Sequence, residues 1–178
     1  AADVSQKTYA VRAGIKCVAD HLKRRKIASK VSSIRGLTIY GIDWTFRKQP
    51  AVTIIIPFKD QLETTRTCVE NILTHTKYKN YKILLIDNWS VCDETLEFIK
   101  EIKKNVNVSV MTIEEPFNFS RLNNIAVAES SSDFIMFMNN DVFVEDPNWL
   151  HNMVGEAIAF SDVGAVGAKL LYPNDTIQ

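Results

Sequence analysis

Four predicted strands, separated by segments with helical spacing, constrain the fold of this chain more than any other feature of its sequence. Residues 52–56, 83–86 and 134–138 are apolar runs, and residues 106–113 alternate apolar with polar side chains. Runs that are apolar on both faces are typical of central strands in a parallel sheet that helices cover. The regular alternation of strands and helices therefore predicts an α/β fold with a doubly wound, mostly parallel sheet and right-handed crossovers.

The segments between these runs have the spacing and the start signals of amphipathic helices. A stripe of apolar residues over positions 60–73 predicts the first helix of the alternation. Asp93 and Ser120 are suited to cap the next two helices, and Pro147 suits the first turn of a fourth. A last apolar stretch, residues 163–171, ends at a polar turn.

The first 50 residues form a separate part of the predicted architecture. Residues 5 to about 28 have helical spacing and end in a basic cluster over positions 21–26. The cluster either solvates the helix end or contacts acidic lipid headgroups or a polyanionic carrier, and it receives no site role. Residues 31–50 are predicted to be a connector with one edge strand near positions 37–40. We therefore expect a helix and connector over 1–50 and the main domain over 51–178.

Charge, cysteine content and hydropathy exclude several classes of protein. Lys and Arg total 21, as do Asp and Glu, so no overall field favours nucleic acid or an anionic membrane. Cys17, Cys68 and Cys92 lack the paired spacing of zinc or redox sites and are predicted to be free thiols in a reducing compartment. No run approaches the roughly 20 apolar residues of a membrane span, and no signal peptide is evident. These features favour a cytoplasmic chain without a membrane span.

Three of the predicted strands end in polar residues, which we call the strand-end loops: residues 58–60, 87–90 and 139–141. In doubly wound sheets the ligand lies outside the carboxyl ends of the strands, so these loops are expected to converge on one crevice. Asn and Asp are also ordinary turn residues, which is the alternative for each loop taken alone.

The residue types in these loops suit a nucleotide and a metal ion. Asp141 is the candidate ligand for Mg²⁺ or Mn²⁺, because these ions bind through one or two carboxylates together with substrate phosphates. Asp87 could bind a nucleobase N–H or cap the next helix, and Trp89 could stack on a base or belong to the core. The segment around Arg121 could bind phosphate or ribose, or be only a capped helix. P-loop and dinucleotide fingerprints are absent.

Five segments, in this order, resemble the bacterial family 2 glycosyltransferases: VTIIIPFKD, ILLIDNWS, FNFSRLNNIAVA, FIMFMNNDV and VGAVGAKLLYPNDTIQ. The resemblance implies a GT-A fold and the inverting transfer of a sugar from a nucleotide-diphosphate sugar donor to a glycan or lipid-linked glycan. It also implies a role in surface-polysaccharide or O-antigen synthesis, at the cytoplasmic face and in peripheral contact with the inner membrane. The residues expected to bind the donor are Pro57, Phe58, Asp60, Asp87, Ser90, Asn123, Asn124, Asn139 and Asn140, with Asp141 as the metal ligand.

The chain departs from the family pattern at three points. Asn139 replaces the first acidic residue of the metal-binding motif, so Asp141 carries that role alone. Asn88 and Trp89 replace the more usual acidic-glycine pair. The catalytic carboxylate is expected beyond Gln178, so this portion alone is predicted to bind donor with little transfer. A sugar nucleotidyltransferase, or a non-catalytic or receiver-like module with Asp87 as phosphate acceptor, remains as an alternative.

Overall fold

The computed structural model describes residues 8–178, which form two compact units. One unit contains the described residues up to Lys48 together with His151–Gln178, and the other is Gln49–Leu150. The sequence prediction of a boundary at residue 50 and a main domain over 51–178 stays a prediction. Residues 5–7 of the predicted first helix lie outside the described part.

The first unit begins with helix α1 (Thr8–Arg24), followed by the antiparallel strands β1 (Ser29–Ser33) and β2 (Tyr40–Trp44). The connector therefore contains a hairpin, and the prediction of one edge strand was wrong. The predicted strand near 37–40 lies mostly in the turn, where Arg35 and Gly36 both have positive φ. Left-handed residues close a tight turn, and this turn joins two strands of only five residues each, which are too short to show a clear periodicity.

The second unit contains the parallel sheet. Its strands are β3 (Val52–Phe58), β4 (Tyr81–Asp87), β5 (Val108–Thr112) and β6 (Phe134–Phe137), and its helices are α2 (Leu62–His75), α3 (Asp93–Ile102) and α4 (Phe119–Ala128). Helix α5 (Trp149–Ala159) begins at the end of this unit. The strand order is β5-β4-β3-β6, with all three pairings parallel. The predicted α/β fold class is confirmed.

The core of the sheet follows directly from the apolar runs. All seven residues of β3 are buried, as expected for a central strand. A cluster of fully or nearly buried residues joins the sheet to α4; its members are Ile55, Leu84, Ile86, Ile113, Leu122 and Ala126. Strand β3 extends two residues past the apolar run 52–56, through Pro57 to Phe58. The pairing of β3 with β6 ends at Ile55, so the missing N–H of Pro57 breaks no ladder bond on that side.

Two helix starts differ from the sequence prediction. Helix α4 begins at Phe119 and its cap is Asn118, whose Oδ1 accepts the N–H of Arg121 at 3.0 Å, so Ser120 is inside the first turn. Helix α3 begins at Asp93, and the capping position is Cys92, without a side-chain bond. Several neighbouring polar residues can each serve as the N-cap of a helix. The direction of the chain after the strand decides which of them occupies the N-cap position.

Further expectations concern the cysteines and membrane spans. The three cysteines are free, with Cys68 buried and the other two exposed. Within the described part, no helix combines the length and the apolar character that crossing a bilayer requires.

Gly155 provides a test of packing in the first unit. A Cβ at this position would overlap the buried indole of Trp44. We expect Gly155→Ala to lower the free energy of unfolding by about 1–3 kcal/mol through overpacking. Helix propensity alone would raise the free energy of unfolding by roughly 1 kcal/mol. The sign of the measured change therefore distinguishes overpacking from helix propensity. Urea unfolding measures it.

Gly164→Ala is the matched control, because a Cβ there meets nothing within 4 Å. Its effect should stay within about 0.5 kcal/mol. A stabilising Gly155→Ala would contradict the packing described for Trp44.

Candidate functional site

The three strand-end loops lie at one edge of the sheet. Strands β4, β3 and β6 are adjacent and parallel, so their carboxyl ends meet. The chain runs outward from β3 through β4 to β5 and then returns to β6 on the other side of β3. The order of strands therefore reverses between β3 and β6, and ligands of open α/β sheets bind at such a switch point. The prediction that these three strand ends share one edge of the sheet is confirmed, and the crevice between their loops stays a prediction.

Asp60 connects the end of β3 to the end of β4. Its backbone N–H donates to Ser90 Oγ at 2.8 Å. Its Oδ1 accepts the N–H groups of Val91 at 3.0 Å and Cys92 at 3.1 Å. These bonds stabilise the charged form, and the N–H of Cys92 is the largest of the causes that lower the pKa of Asp60. Asp60 has φ 49°, a left-handed conformation that Asp tolerates better than most residues.

Asp87 is a buried carboxylate with fixed orientation. It is 1% exposed, its Oδ1 accepts the N–H of Ser90 at 2.9 Å, and its Oδ2 accepts the hydroxyl of Thr112 at 3.1 Å. Buried charges are tolerated where hydrogen bonds satisfy them. Because α3 begins six residues later, at Asp93, Asp87 holds its own loop and is not the cap of that helix.

Asn88 and Trp89 lie side by side but have opposite exposure. Asn88 is 2% exposed, and its Nδ2 donates to Ile113 O at 3.2 Å and Glu115 O at 2.8 Å, which ties this loop to the segment after β5. Trp89 is 51% exposed, so the alternative that it belongs to the core is wrong. Its φ is 60°, and the left-handed conformation costs a non-glycine residue roughly 1–2 kcal/mol.

The third loop follows β6 and contains the candidate metal ligand. The Asn140 Nδ2 donates to Thr65 Oγ1 of α2 at 2.9 Å, which holds this loop against the helix. Cys68 Sγ lies 3.8 Å from Asn139 O, and burial raises the pKa of its thiol to about 11. Asn139 and Asp141 are exposed. In the described part of the chain, no group of three or more His, Cys, Asp or Glu side chains could hold a metal ion.

Helix α4 brings a further pair of candidates, Asn123 and Asn124. Asn123 is 5% exposed, and its Nδ2 donates to Phe119 O at 2.8 Å. Its Oδ1 is buried without a hydrogen-bond partner, which costs about 1–3 kcal/mol unless a donor from outside the chain reaches it. Asn124 is exposed. Arg121, considered for phosphate binding, pairs with Glu115 through both its Nε and, at 2.8 Å, its Nη2.

Two of the predicted site residues, Pro57 and Phe58, are buried at the end of β3. The carbonyl of Phe58 accepts the N–H of Asn88 at 2.8 Å. Phe58 therefore helps to position the backbone of the loop after β4. Sequence reasoning missed Thr65 and Thr112, which fix Asn140 and Asp87. Thr112 had a signal, because it too is a polar residue at a strand end, whereas Thr65 lies inside a helix and had none.

Geometry and sequence comparison agree on the class of protein. A parallel α/β domain with polar groups at its switch point is typical of nucleotide-binding enzymes. A family model described as glycosyl transferase family 2 matches residues 53–177, and the chain belongs to this family. The match favours the transferase hypothesis over the nucleotidyltransferase and receiver alternatives.

The chain is also similar to parts of two longer proteins. The O-antigen biosynthesis protein RfbC of Myxococcus xanthus is 36% identical over 95% of this chain, which spans 13% of that protein. The protein y4gI of Sinorhizobium fredii is 39% identical over the whole chain, which spans 20% of it. The chain thus covers a fifth or less of these two relatives.

Among solved structures, the fold is similar to that of the mannosyltransferase PcManGT from Pyrobaculum calidifontis, described in complex with GDP-Man and Mn²⁺. The alignment has a TM-score of 0.59 and 17% identity, and it covers 97% of this chain and 47% of the other. At this identity the likeness establishes the GT-A type of fold.

The hydrogen bonds of Asp60 predict a pH dependence of stability. The pKa of Asp60 is lowered in the folded state, so its stabilisation is present above its ordinary pKa of 3.8 and is lost as the pH falls through the folded value. We expect Asp60→Asn to destabilise the chain at about pH 6 and much less at about pH 3. Urea unfolding at both pH values measures the difference.

Glu63→Gln is the control, because it removes an exposed carboxylate of the first turn of α2 that makes none of these bonds. An equal loss of stability for Asp60→Asn at both pH values would contradict the charge-assisted bonding of the loop.

Proposed function

We propose that this chain is the donor-binding part of an inverting glycosyltransferase that takes a sugar from a nucleoside-diphosphate sugar. The observation that supports this most strongly is the hydrogen-bonded junction between the ends of β3 and β4, with the end of β6 on the other side of β3, in a family 2 domain. Asp60, Asp87 and Ser90 hold the nucleotide side of the site. Asn139 and Asn140 bound its diphosphate side, with Asn123 and Asn124 facing the sugar.

The residues of the third loop fit a divalent cation only when a diphosphate is bound. Asp141 is one exposed carboxylate, and Mg²⁺ or Mn²⁺ bind through one or two carboxylates when phosphates supply the other ligands. Asp141 would hold such an ion, with Asn139 as a neutral hydrogen-bonding neighbour. The chemistry that the ion supplies is compensation of the charge on the leaving diphosphate.

In the proposed reaction, an acceptor hydroxyl attacks the anomeric carbon of the sugar from the face opposite the diphosphate. The bond to the diphosphate breaks, and the diphosphate leaves with the electron pair. The hydroxyl proton needs a carboxylate within hydrogen-bond reach. We assign that role to none of the strand-end residues, whose work is to bind and orient the donor.

A glycan or lipid-linked glycan acceptor in surface-polysaccharide synthesis is supported by the 36% identity to an O-antigen biosynthesis protein. The proposed location is the cytoplasmic side of the membrane, with peripheral contact. Charge supports this: residues 8–48, which we call the basic segment, hold ten Lys and Arg against two Asp, a net charge of +8 in a chain whose total is zero. Basic clusters on amphipathic helices bind anionic lipid surfaces.

The proposal is tested by titrating the chain with UDP, GDP and dTDP, with and without Mn²⁺. We expect at least one to bind more tightly with the ion, and Asp141→Asn to remove this gain. The loss should be about tenfold or more, since even the outer-shell partners of a metal contribute roughly 10–100-fold. Isothermal calorimetry measures both constants.

Glu145→Gln is the matched control, because it removes one negative charge from another exposed side chain four residues later. It should keep the Mn²⁺ dependence. Metal-dependent binding that survives Asp141→Asn would exclude Asp141 as the ligand, and the absence of any nucleotide binding would contradict the proposed function.

Peripheral contact predicts binding to vesicles with about 30% phosphatidylglycerol and not to neutral ones. Lys23→Gln with Lys26→Gln should weaken binding, by up to about 1 kcal/mol for each lysine. The exposed pair Lys103→Gln with Lys104→Gln is the control. Co-sedimentation measures it, and equal losses in the two double variants would rule out the basic segment as the contact surface.

A further inference from the structure

Trp89 has a large, exposed side chain between two buried residues that are hydrogen-bonded to the protein. It is 51% exposed, whereas Asn88 and Ser90 on either side are 2% and 6% exposed. Asn88 bonds to two carbonyls beyond β5, and Ser90 bonds to Asp87 and to the N–H of Asp60. The loop is therefore held by hydrogen bonds on both sides of Trp89.

The backbone at Trp89 suits a different kind of residue. Its φ of 60° lies in the left-handed region, which glycine and asparagine adopt readily and in which a residue with a bulky side chain is strained. Half of the indole surface is also left in water. Strained residues of this kind persist where the surrounding structure holds them, and they cluster at ligand sites. Fold stability alone gives no reason for tryptophan here.

The surroundings of Trp89 indicate what the indole binds. Asp60 and Gln61, at the end of the neighbouring strand, are also left-handed, so all three left-handed residues of the second unit lie at this edge of the sheet. Buried Asp87 lies two residues before Trp89, with its carboxylate oriented by Ser90 and Thr112. An exposed aromatic side chain two residues from this carboxylate is suited to a planar ring that carries N–H groups.

We propose that the indole of Trp89 is the stacking surface for the nucleobase of the donor. This inference rests on the proposed function and adds to it the residue that recognises the base. Stacking accepts every base, because each has a π face, so Trp89 supplies affinity and leaves the choice of base to hydrogen bonds. The strain at Trp89 is retained because the ring binds ligand.

The experiment compares Trp89→Asn with Trp89→Phe in the 178-residue chain. Asparagine removes the ring and tolerates the left-handed backbone, whereas phenylalanine keeps both the ring and the strain. We expect Trp89→Asn to weaken the best-bound nucleoside diphosphate about five- to fiftyfold. Its melting temperature should be equal or higher. Trp89→Phe should keep affinity within about fivefold.

Two controls separate stacking from other effects. Inorganic pyrophosphate with Mn²⁺ has no base, so Trp89→Asn should leave its binding unchanged. Arg35→Asn relieves a comparable left-handed residue, with φ 52°, in the hairpin of the first unit. It should raise the melting temperature by a few degrees, roughly as strain relief predicts, without changing nucleotide affinity.

The results distinguish this inference from the function on which it rests. Unchanged nucleotide affinity in Trp89→Asn, or an equal loss in Trp89→Phe, would overturn the stacking role while the proposed function stands. A marked drop in melting temperature for Trp89→Asn would mean that the indole stabilises the fold, which also contradicts it. No nucleotide binding by the unaltered chain would contradict both proposals.

Discussion

The hydrogen bond from the N–H of Asp60 to the hydroxyl of Ser90 is the interaction on which the candidate site depends. Asp87 fixes Ser90 from below, and the carboxylate of Asp60 returns two bonds to the backbone after Ser90. The ends of β3 and β4 thus bond reciprocally. Since these bonds share Asp60 and Ser90, loss of one is expected to weaken the others.

In the second unit, the residues that stabilise the fold differ from the residues of the candidate site. The apolar strands and the cluster beneath α4 supply burial, and their residues adopt ordinary conformations. Two features that lower the stability of the fold lie at the carboxyl edge of the sheet. They are the left-handed backbone of Trp89 and the buried side-chain oxygen of Asn123, which has no hydrogen-bond partner. Local costs that the fold does not require are expected where a ligand is bound. Their position at the switch point of the sheet is consistent with the donor site that we propose.

The sequence predicted the parallel sheet because runs such as residues 52–56 are apolar on both faces, a pattern that few other structures produce. It also predicted that three polar strand ends would meet. It could not predict the partners of those ends: Asn140 bonds to Thr65, 75 residues away, and Asp87 to Thr112. Such contacts depend on strand order, which periodicity does not encode. The β1–β2 hairpin was missed because its strands are only five residues long and the first of them is mostly polar.

The most direct test of the account is the map of backbone amide shifts when a nucleoside diphosphate and Mg²⁺ are added to the isotopically labelled chain. The account predicts that the shifts concentrate in the three strand-end loops, residues 58–60, 87–90 and 139–141, and in the first turns of α4. Saturable shifts that lie at the amino ends of the strands, or that omit any one of the three loops, would contradict a donor site built from all three.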